Sequence, residues 1–352
     1  RDARVHFGFG HTDTSLHRRS KVTTMAITGI KAINYRVTAV EASQTFFTEF
    51  GLPLEQTIDH QVIFNLADGA RVHLLREESA HFKTTISVET VWGVNSPEQL
   101  SRLVDDLSAD HSLSKDARGD YHFVTSDGLP VGLGLFERKP VLNAPDPVNA
   151  PGRIDRLNQW RKWRFRAQPK TINHVVYGVD DYKTTWDFFR RRLGFRLSDH
   201  SRGLGVFLRA DAAPEHHNLF LANCHYHQPS QPSFQHACFG VEDIDELMAG
   251  ANHMARLGHK SKLGLGRHRI ASALFYYLDC PAGGEAEYGA DTDYLDDGWV
   301  PREWDPKFGF IGWSTNLPPF MLEEAPRNVR LLESEDDVSI PDLAAYRERR
   351  PA

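Results

Sequence analysis

Alternation of apolar and polar residues begins at Ile27, where ITGIKAINYRVTAV reads as a strand, and EASQTFFTEFGL then reads as a short helix ending at Gly51. The same layout returns in TINHVVYGVDDYKTTWDFFRRRLGF, Thr171 to Phe195. Laying Ile33-Asn34-Tyr35 on Ile172-Asn173-His174 defines an internal repeat. It continues with Val91-Trp92-Gly93-Val94 on Cys238-Phe239-Gly240-Val241, each followed by a helix, Pro97 to Leu107 and Ile244 to Leu257. Asp243 and Glu246 open the second helix at capping-box spacing. Pro130-Val131-Gly132 falls on Pro281-Ala282-Gly283, which sets Phe136 opposite Glu287. The pattern predicts an α+β fold of two similar modules, each a strand, a helix and a run of antiparallel strands.

The expected division is an extension over 1–26, a first module over 27–143, a linker over 144–170, a second module over 171–291 and a tail over 292–352. Residues 1–24 lack the apolar core of a targeting signal and read as an extension ahead of Met25. The linker is rich in Pro and Arg, with a short helix expected around Trp160. The tail is aromatic but aperiodic, so it must pack on something, and the mouth of the second module is the expected place. Its last residues are charged and expected to be loose.

Composition narrows the function. A hydrophobic share of 40% over 352 residues suits a globular protein, and no apolar run approaches the roughly 20 residues of a membrane helix. The formal charge of -6 argues against nucleic acid, which needs a basic surface. The basic run Arg156 to Arg166 reads as an interdomain or subunit contact. Cys224, Cys238 and Cys280 lie far apart, which implies neither a disulfide framework nor a zinc-thiolate site and fits the cytoplasm.

Chemistry concentrates in GLGRHRIASALFYYLDCPAGGEAEYG, Gly264 to Gly289. A strand over Ala273 to Leu278, a turn at Pro281, Gly283 and Gly284, and a second strand carry Glu287 inward. A carboxylate aimed into a sheet interior costs several kcal/mol without a partner, and a metal is one candidate. His268, Tyr276-Tyr277, Pro281-Ala282-Gly283 and Glu287 resemble the signature of the type I extradiol ring-cleavage dioxygenases of the vicinal oxygen chelate superfamily. That resemblance covers Thr171 to Asp291 with specific motifs, and the earlier half only through the repeat.

The resemblance implies two tandem vicinal-oxygen-chelate modules of paired βαβββ units, each curling its sheet around a cavity. Across the repeat, His174, His236 and Glu287 stand against Tyr35, Glu89 and Phe136, so only the second module offers the two histidines and one carboxylate of a non-heme Fe(II) facial triad. Mn(II) accepts the same ligands. EHHNLFLANC resembles the family's His-His stretch, which maps the acid-base group onto His217; its alternation with Leu219 and Leu221 would point it inward. Tyr277 and His268 match positions that line the substrate pocket. Relatives often carry Asn and Asp after that histidine, where this chain has Ile270 and Ala271. The implied activity is cleavage of a catecholic ring by dioxygen in aromatic catabolism, by an enzyme that assembles as a homo-oligomer. The alternatives are a metal-dependent lyase or isomerase of the same superfamily, and a non-catalytic binder of aromatic ligands. His225 and His227, an H-x-H pair with no third ligand in the sequence nearby, are not expected to hold metal.

Overall fold

A computed structural model describes residues 27–58, 61–226, 231–317, 319, 322 and 326–341. The expected 1–26 extension, His227 and the charged last residues lie outside them. The earlier half runs β1 (Ile27–Val37), α1 (Val40–Phe50), β2 (Leu54–Ile58), β3 (Gln61–Asn65), β4 (Arg71–Arg76), β5 (Val88–Val94), α2 (Pro97–Leu107), β6 (Ser114–Lys115), β7 (Tyr121–Val124) and β8 (Pro130–Leu135). The later half repeats it as β9 (Thr171–Val179), α3 (Tyr182–Leu193), β10 (Arg196–Ser201), β11 (Gly205–Arg209), β12 (Leu219–Asn223), β13 (Ser233–Gly240), α4 (Ile244–Arg256), β14 (Gly266–Arg267), β15 (Leu274–Asp279) and β16 (Glu285–Ala290).

Hydrogen bonding orders the first sheet β2-β3-β4-β1-β5-β8-β7-β6 and the second, over the corresponding strands, β10-β11-β12-β9-β13-β16-β15-β14. The class is α+β, as expected. In each sheet the two leading strands pair antiparallel at the centre, β1 with β5 and β9 with β13, and each is flanked by a parallel strand. The tail extends the second sheet through β17 (Arg302–Trp304), the short α5 (Pro306–Phe310), β18 (Trp313–Ser314) and β19 (Val329–Leu331).

Helix ends follow local chemistry. Gly51 closes α1 in a left-handed conformation, and a side chain there would run into the carbonyl of Ala167. Asp243 caps α4 by accepting from the Glu246 amide at 2.9 Å. Glu246 accepts from the amides of Glu242 and Gln168 and so ties the linker to the helix. The linker around Trp160 forms no helix; its backbone is irregular. Arg164 and Lys162 instead pair with Glu242, and Arg161 with Asp245, which holds the segment on the second half by charge.

One apolar core spans both halves. Tyr288 stacks on Phe50 with ring centroids 4.0 Å apart and donates to the Phe50 carbonyl at 2.7 Å. Phe234 receives the edges of Tyr35 and Tyr177, and the Tyr177 hydroxyl donates to the Val88 carbonyl at 3.1 Å. These contacts lock the two sheets together and fix which face of each strand is left for a cavity.

Candidate metal centre

Strand register brings three donors together. β13 pairs Cys238 with His174 on one side and with Glu287 on the other, which places β9, β13 and β16 side by side. His174 Nε2 and His236 Nε2 lie 3.2 Å from Glu287 Oε2 and 3.3 Å from each other. Those separations are what ligands about 2.1 Å from a common ion subtend at roughly right angles. Glu287 is fully buried, and neither oxygen has an aligned hydrogen-bond donor despite the nearby nitrogens. A carboxylate buried without aligned donors carries a desolvation cost that a cation among these three donors would offset.

Electrostatics agree with the geometry. Burial alone would raise the Glu287 carboxyl, but the imidazoles of His174 and His236 outweigh it and hold it below the ordinary carboxylate range. Burial lowers His174, so its ring is available as a neutral ligand. The thiol of Cys238 also falls within 4.8 Å of His174 and Glu287 donors. Burial and the Glu287 charge push it well above the ordinary thiol value, so it stays protonated beside the carboxylate.

His217, His268 and Tyr277 gather over the same point. His217 stacks obliquely on His174 with centroids 4.2 Å apart, and Tyr277 sits beside His236 at 5.1 Å. His268 Nδ1 donates to the Phe310 carbonyl at 2.5 Å, which leaves Nε2 to accept from the Tyr277 hydroxyl 3.1 Å away. Burial lowers His217 well below its ordinary value and brings His268 to about 4, so both imidazoles are neutral. Burial and then the Glu287 charge raise Tyr277. His217 reaches the cavity by a different route from the expected one: Leu219 and Leu221 belong to the main core, while Phe220 faces the cavity. A bend at residues 216–218 breaks the alternation before β12 starts.

Apart from the hydroxyl of Ser201, the rest of the wall is apolar, with Val176, Leu204, Phe207, Phe220, Ile270 and Phe310 its larger side chains. Ile270 is presented by Ala271 and Ser272, both with positive φ, a conformation that L residues seldom adopt. Gly309 and Phe310 of α5 close one side, so the tail contributes to the cavity. Among the described residues no lysine or arginine lines it.

The earlier half departs from the comparison made along the sequence. Ala32 opposes Val91 as His174 opposes Cys238, and Gly132 opposes Val91 as Glu287 opposes Cys238. The positions matching the three donors are therefore Ala32, Glu89 and Gly132, while Tyr35 matches Tyr177 in the core. The displacement from the motif alignment is three residues at β1, from Tyr35 to Ala32, and four at β8, from Phe136 to Gly132, and the bulge before Ala32 recurs before His174, so it is a shared feature of the two sheets.

Glu89 was also expected to stand without other donors, and it does not. His122 Nδ1 lies 3.0 Å from Oε1, His81 Nε2 2.7 Å from Oε2, and Asn34 donates to Oε2 at 2.6 Å. These are hydrogen-bond distances, and they saturate the carboxylate with N–H donors. Glu89 thus has the partners that Glu287 lacks. His81 comes from the loop before β5, which no spacing in the sequence connects to Glu89. A third grouping of Asp180, Cys224 and His225 has an exposed carboxylate, with His225 Nε2 3.0 Å from Asp180.

Residues 171–281 match the family described as Glyoxalase/Bleomycin resistance protein/Dioxygenase superfamily. The chain is 31% identical over 159 residues to Metapyrocatechase 2 of Cupriavidus necator, an alignment covering 45% of this chain and 48% of that one. It is 28% identical over 149 residues to an iron-dependent extradiol dioxygenase of Rhodococcus jostii strain RHA1, covering 40% and 50%. The match thus spans about half the length of these curated relatives. Among solved structures, the Mn(II)-bound glyoxalase from Novosphingobium aromaticivorans superposes with a TM-score of 0.66 at 21% identity, covering 86% of this chain and 96% of that one. The fold is that of the vicinal oxygen chelate proteins.

Proposed function

From a second half that belongs, over residues 171–281, to the Glyoxalase/Bleomycin resistance protein/Dioxygenase superfamily, we propose that the chain is an extradiol dioxygenase acting on uncharged catechols. The observation that carries this reading is the convergence of two imidazole nitrogens and one carboxylate oxygen, 3.2–3.3 Å apart, around a Glu287 with no aligned hydrogen-bond donor. In this reading His174, His236 and Glu287 hold Fe(II), with Mn(II) able to take the same three donors. Bound there, the ion would supply Lewis-acid and one-electron redox chemistry toward a catechol and dioxygen. The earlier module, with Ala32 and Gly132 at the matching positions, carries no metal.

The chain's own residues do the rest. His217, neutral and beside His174, takes the proton that a catechol hydroxyl gives up and returns a proton as the ring opens. Tyr277 redirects its single hydroxyl proton from His268 to a substrate oxygen. The apolar wall orients the ring and excludes water. In the net reaction a ring bond adjacent to the diol breaks, and both atoms of dioxygen enter the product. A homo-oligomer in the cytoplasm is the proposed setting; Trp160, Trp163 and Phe165, each about four-fifths exposed on the linker, support assembly.

Anaerobic loading with Fe(II) followed by oxygen uptake with a catechol panel tests this reading. Uptake and a yellow ring-fission product are expected with unsubstituted, alkyl- and aryl-catechols. Catechols bearing a carboxylate should be poorer by about 10- to 100-fold in kcat/KM, since no cation lines the cavity to offset their desolvation. Turnover of a non-catecholic substrate by the loaded protein without oxygen consumption would favour a lyase or isomerase instead.

A further inference from the structure

Behind His217 lie two buried polar side chains that the proposed reaction does not use. His216 is fully buried, with its Nδ1 3.1 Å from His217 Nδ1 and its Nε2 3.2 Å from Asp199 Oδ2. Asp199, on β10, is likewise buried, and its other oxygen, Oδ1, accepts the Arg302 amide at 2.7 Å. Trp299 packs edge-on against His216, and Phe207 packs on both histidines, so neither ring is at liberty to turn.

We infer that Asp199 and His216 are positioning residues that fix the tautomer of His217. A carboxylate only accepts, so a neutral His216 places its one proton on Nε2 to satisfy Asp199. His216 Nδ1 is then a bare lone pair. It faces His217 Nδ1, and two lone pairs 3.1 Å apart repel, so His217 must carry its proton on Nδ1. The other nitrogen of His217, Nε2, is left unprotonated on a ring that lines the cavity. The chain sets a base ready to accept a proton without changing the net charge of either imidazole. This rests on the reading of His217 as the proton-handling group and adds to it the reason why that group starts as a base.

The Asp199→Asn variant is the sharp test because the Arg302 amide decides which way the new side chain sits. The Asn carbonyl stays on that amide, so its NH2 replaces Oδ2 and donates to His216 Nε2. The His216 proton then moves to Nδ1, His217 must accept at Nδ1, and its own proton moves to Nε2. One atom changed at Asp199 thereby inverts two tautomers.

Nitrogen-15 spectra of histidine-labelled, metal-free protein near neutral pH read this directly, with His217→Gln used for assignment. The wild-type chain should show His217 protonated at Nδ1 and His216 at Nε2, and Asp199→Asn should show both reversed. In the Fe(II)-loaded enzyme the variant should lose on the order of 10²- to 10⁴-fold in kcat, with KM for the catechol and iron content within about threefold of wild type. Wild-type spectra with His217 protonated at Nε2, or a folded variant with unchanged tautomers and kcat, would overturn the inference. If Asp199→Asn does not fold, the wild-type spectra decide alone. Absence of oxygen uptake by the wild-type enzyme would instead remove the dioxygenase reading, and the tautomer measurement would still stand.

Discussion

Glu287 and Glu89 show how much a single carboxylate's surroundings decide. Both are fully buried glutamates with two imidazoles within 3.2 Å, yet Glu89 is saturated by N–H donors and Glu287 is not. A buried charge whose neighbouring nitrogens are not aligned on it has more to gain from a cation than one already saturated by donors. Because the imidazoles of His174 and His236 favour the ionised carboxylate, Glu287→Gln should slightly lower the metal-free melting temperature at neutral pH. Anaerobic Fe(II) should raise the wild-type value, by about 2.7 kcal/mol of stability at a hundredfold excess over Kd, and should leave the variant unmoved. Thermal melts with and without Fe(II) check both halves; a variant still stabilised by Fe(II) would take Glu287 out of the ligand set.

At the scale of elements, β4, β5 and β7 of the first sheet are joined by polar side chains. Glu89 on β5 meets His122 of β7 and, through Asn34, His73 of β4. Burial would raise Glu89, but His122 and His81 hold it at about 2 against an ordinary 4.5, so its contribution is fully present above about pH 4.5 and is lost as pH falls toward 2. His122 shifts the other way. Burial lowers it, Glu89 more than offsets that, and its contribution is full below its ordinary 6.5 and lost as pH rises through the raised value. Glu89→Gln should thus be most destabilising between about pH 4.5 and 6.5, with the gap to wild type narrowing on either side. Urea midpoints measured across that range follow it, and a gap independent of pH would mean that the cluster contributes packing alone.

Across the whole molecule, the linker sets an apolar strip outside an otherwise shared core. Trp160, Trp163 and Phe165 are exposed while neighbouring Arg161, Lys162 and Arg164 are tied down on Glu242 and Asp245, so the aromatic side chains project from an anchored backbone. Trp160→Ser with Trp163→Ser should lower the assembled mass measured by light scattering and leave the oxygen uptake of each chain within about twofold, since neither residue lines the cavity. A wild-type mass equal to one chain would remove assembly from the proposed setting.

The amino-acid order by itself determined the class of fold, because periodicity and turn residues are local properties: the second passage of strand, helix and strands is legible from Thr171 onward, and so are the Asp243 cap and the Gly51 stop. It also brought His174, His236 and Glu287 forward as a set through one motif and a repeat. What it could not supply was registration. Strand pairing matches Ala32 and not Tyr35 to His174, three residues from the motif alignment, a displacement that only the register of neighbouring strands reveals. Nor could it join His81 to Glu89, or Asp199 to His216, since those pairs meet only where loops and neighbouring strands cross. Which carboxylate is saturated and which lacks a donor is a property of three-dimensional packing, and that difference separates the half proposed to bind metal from the half that does not.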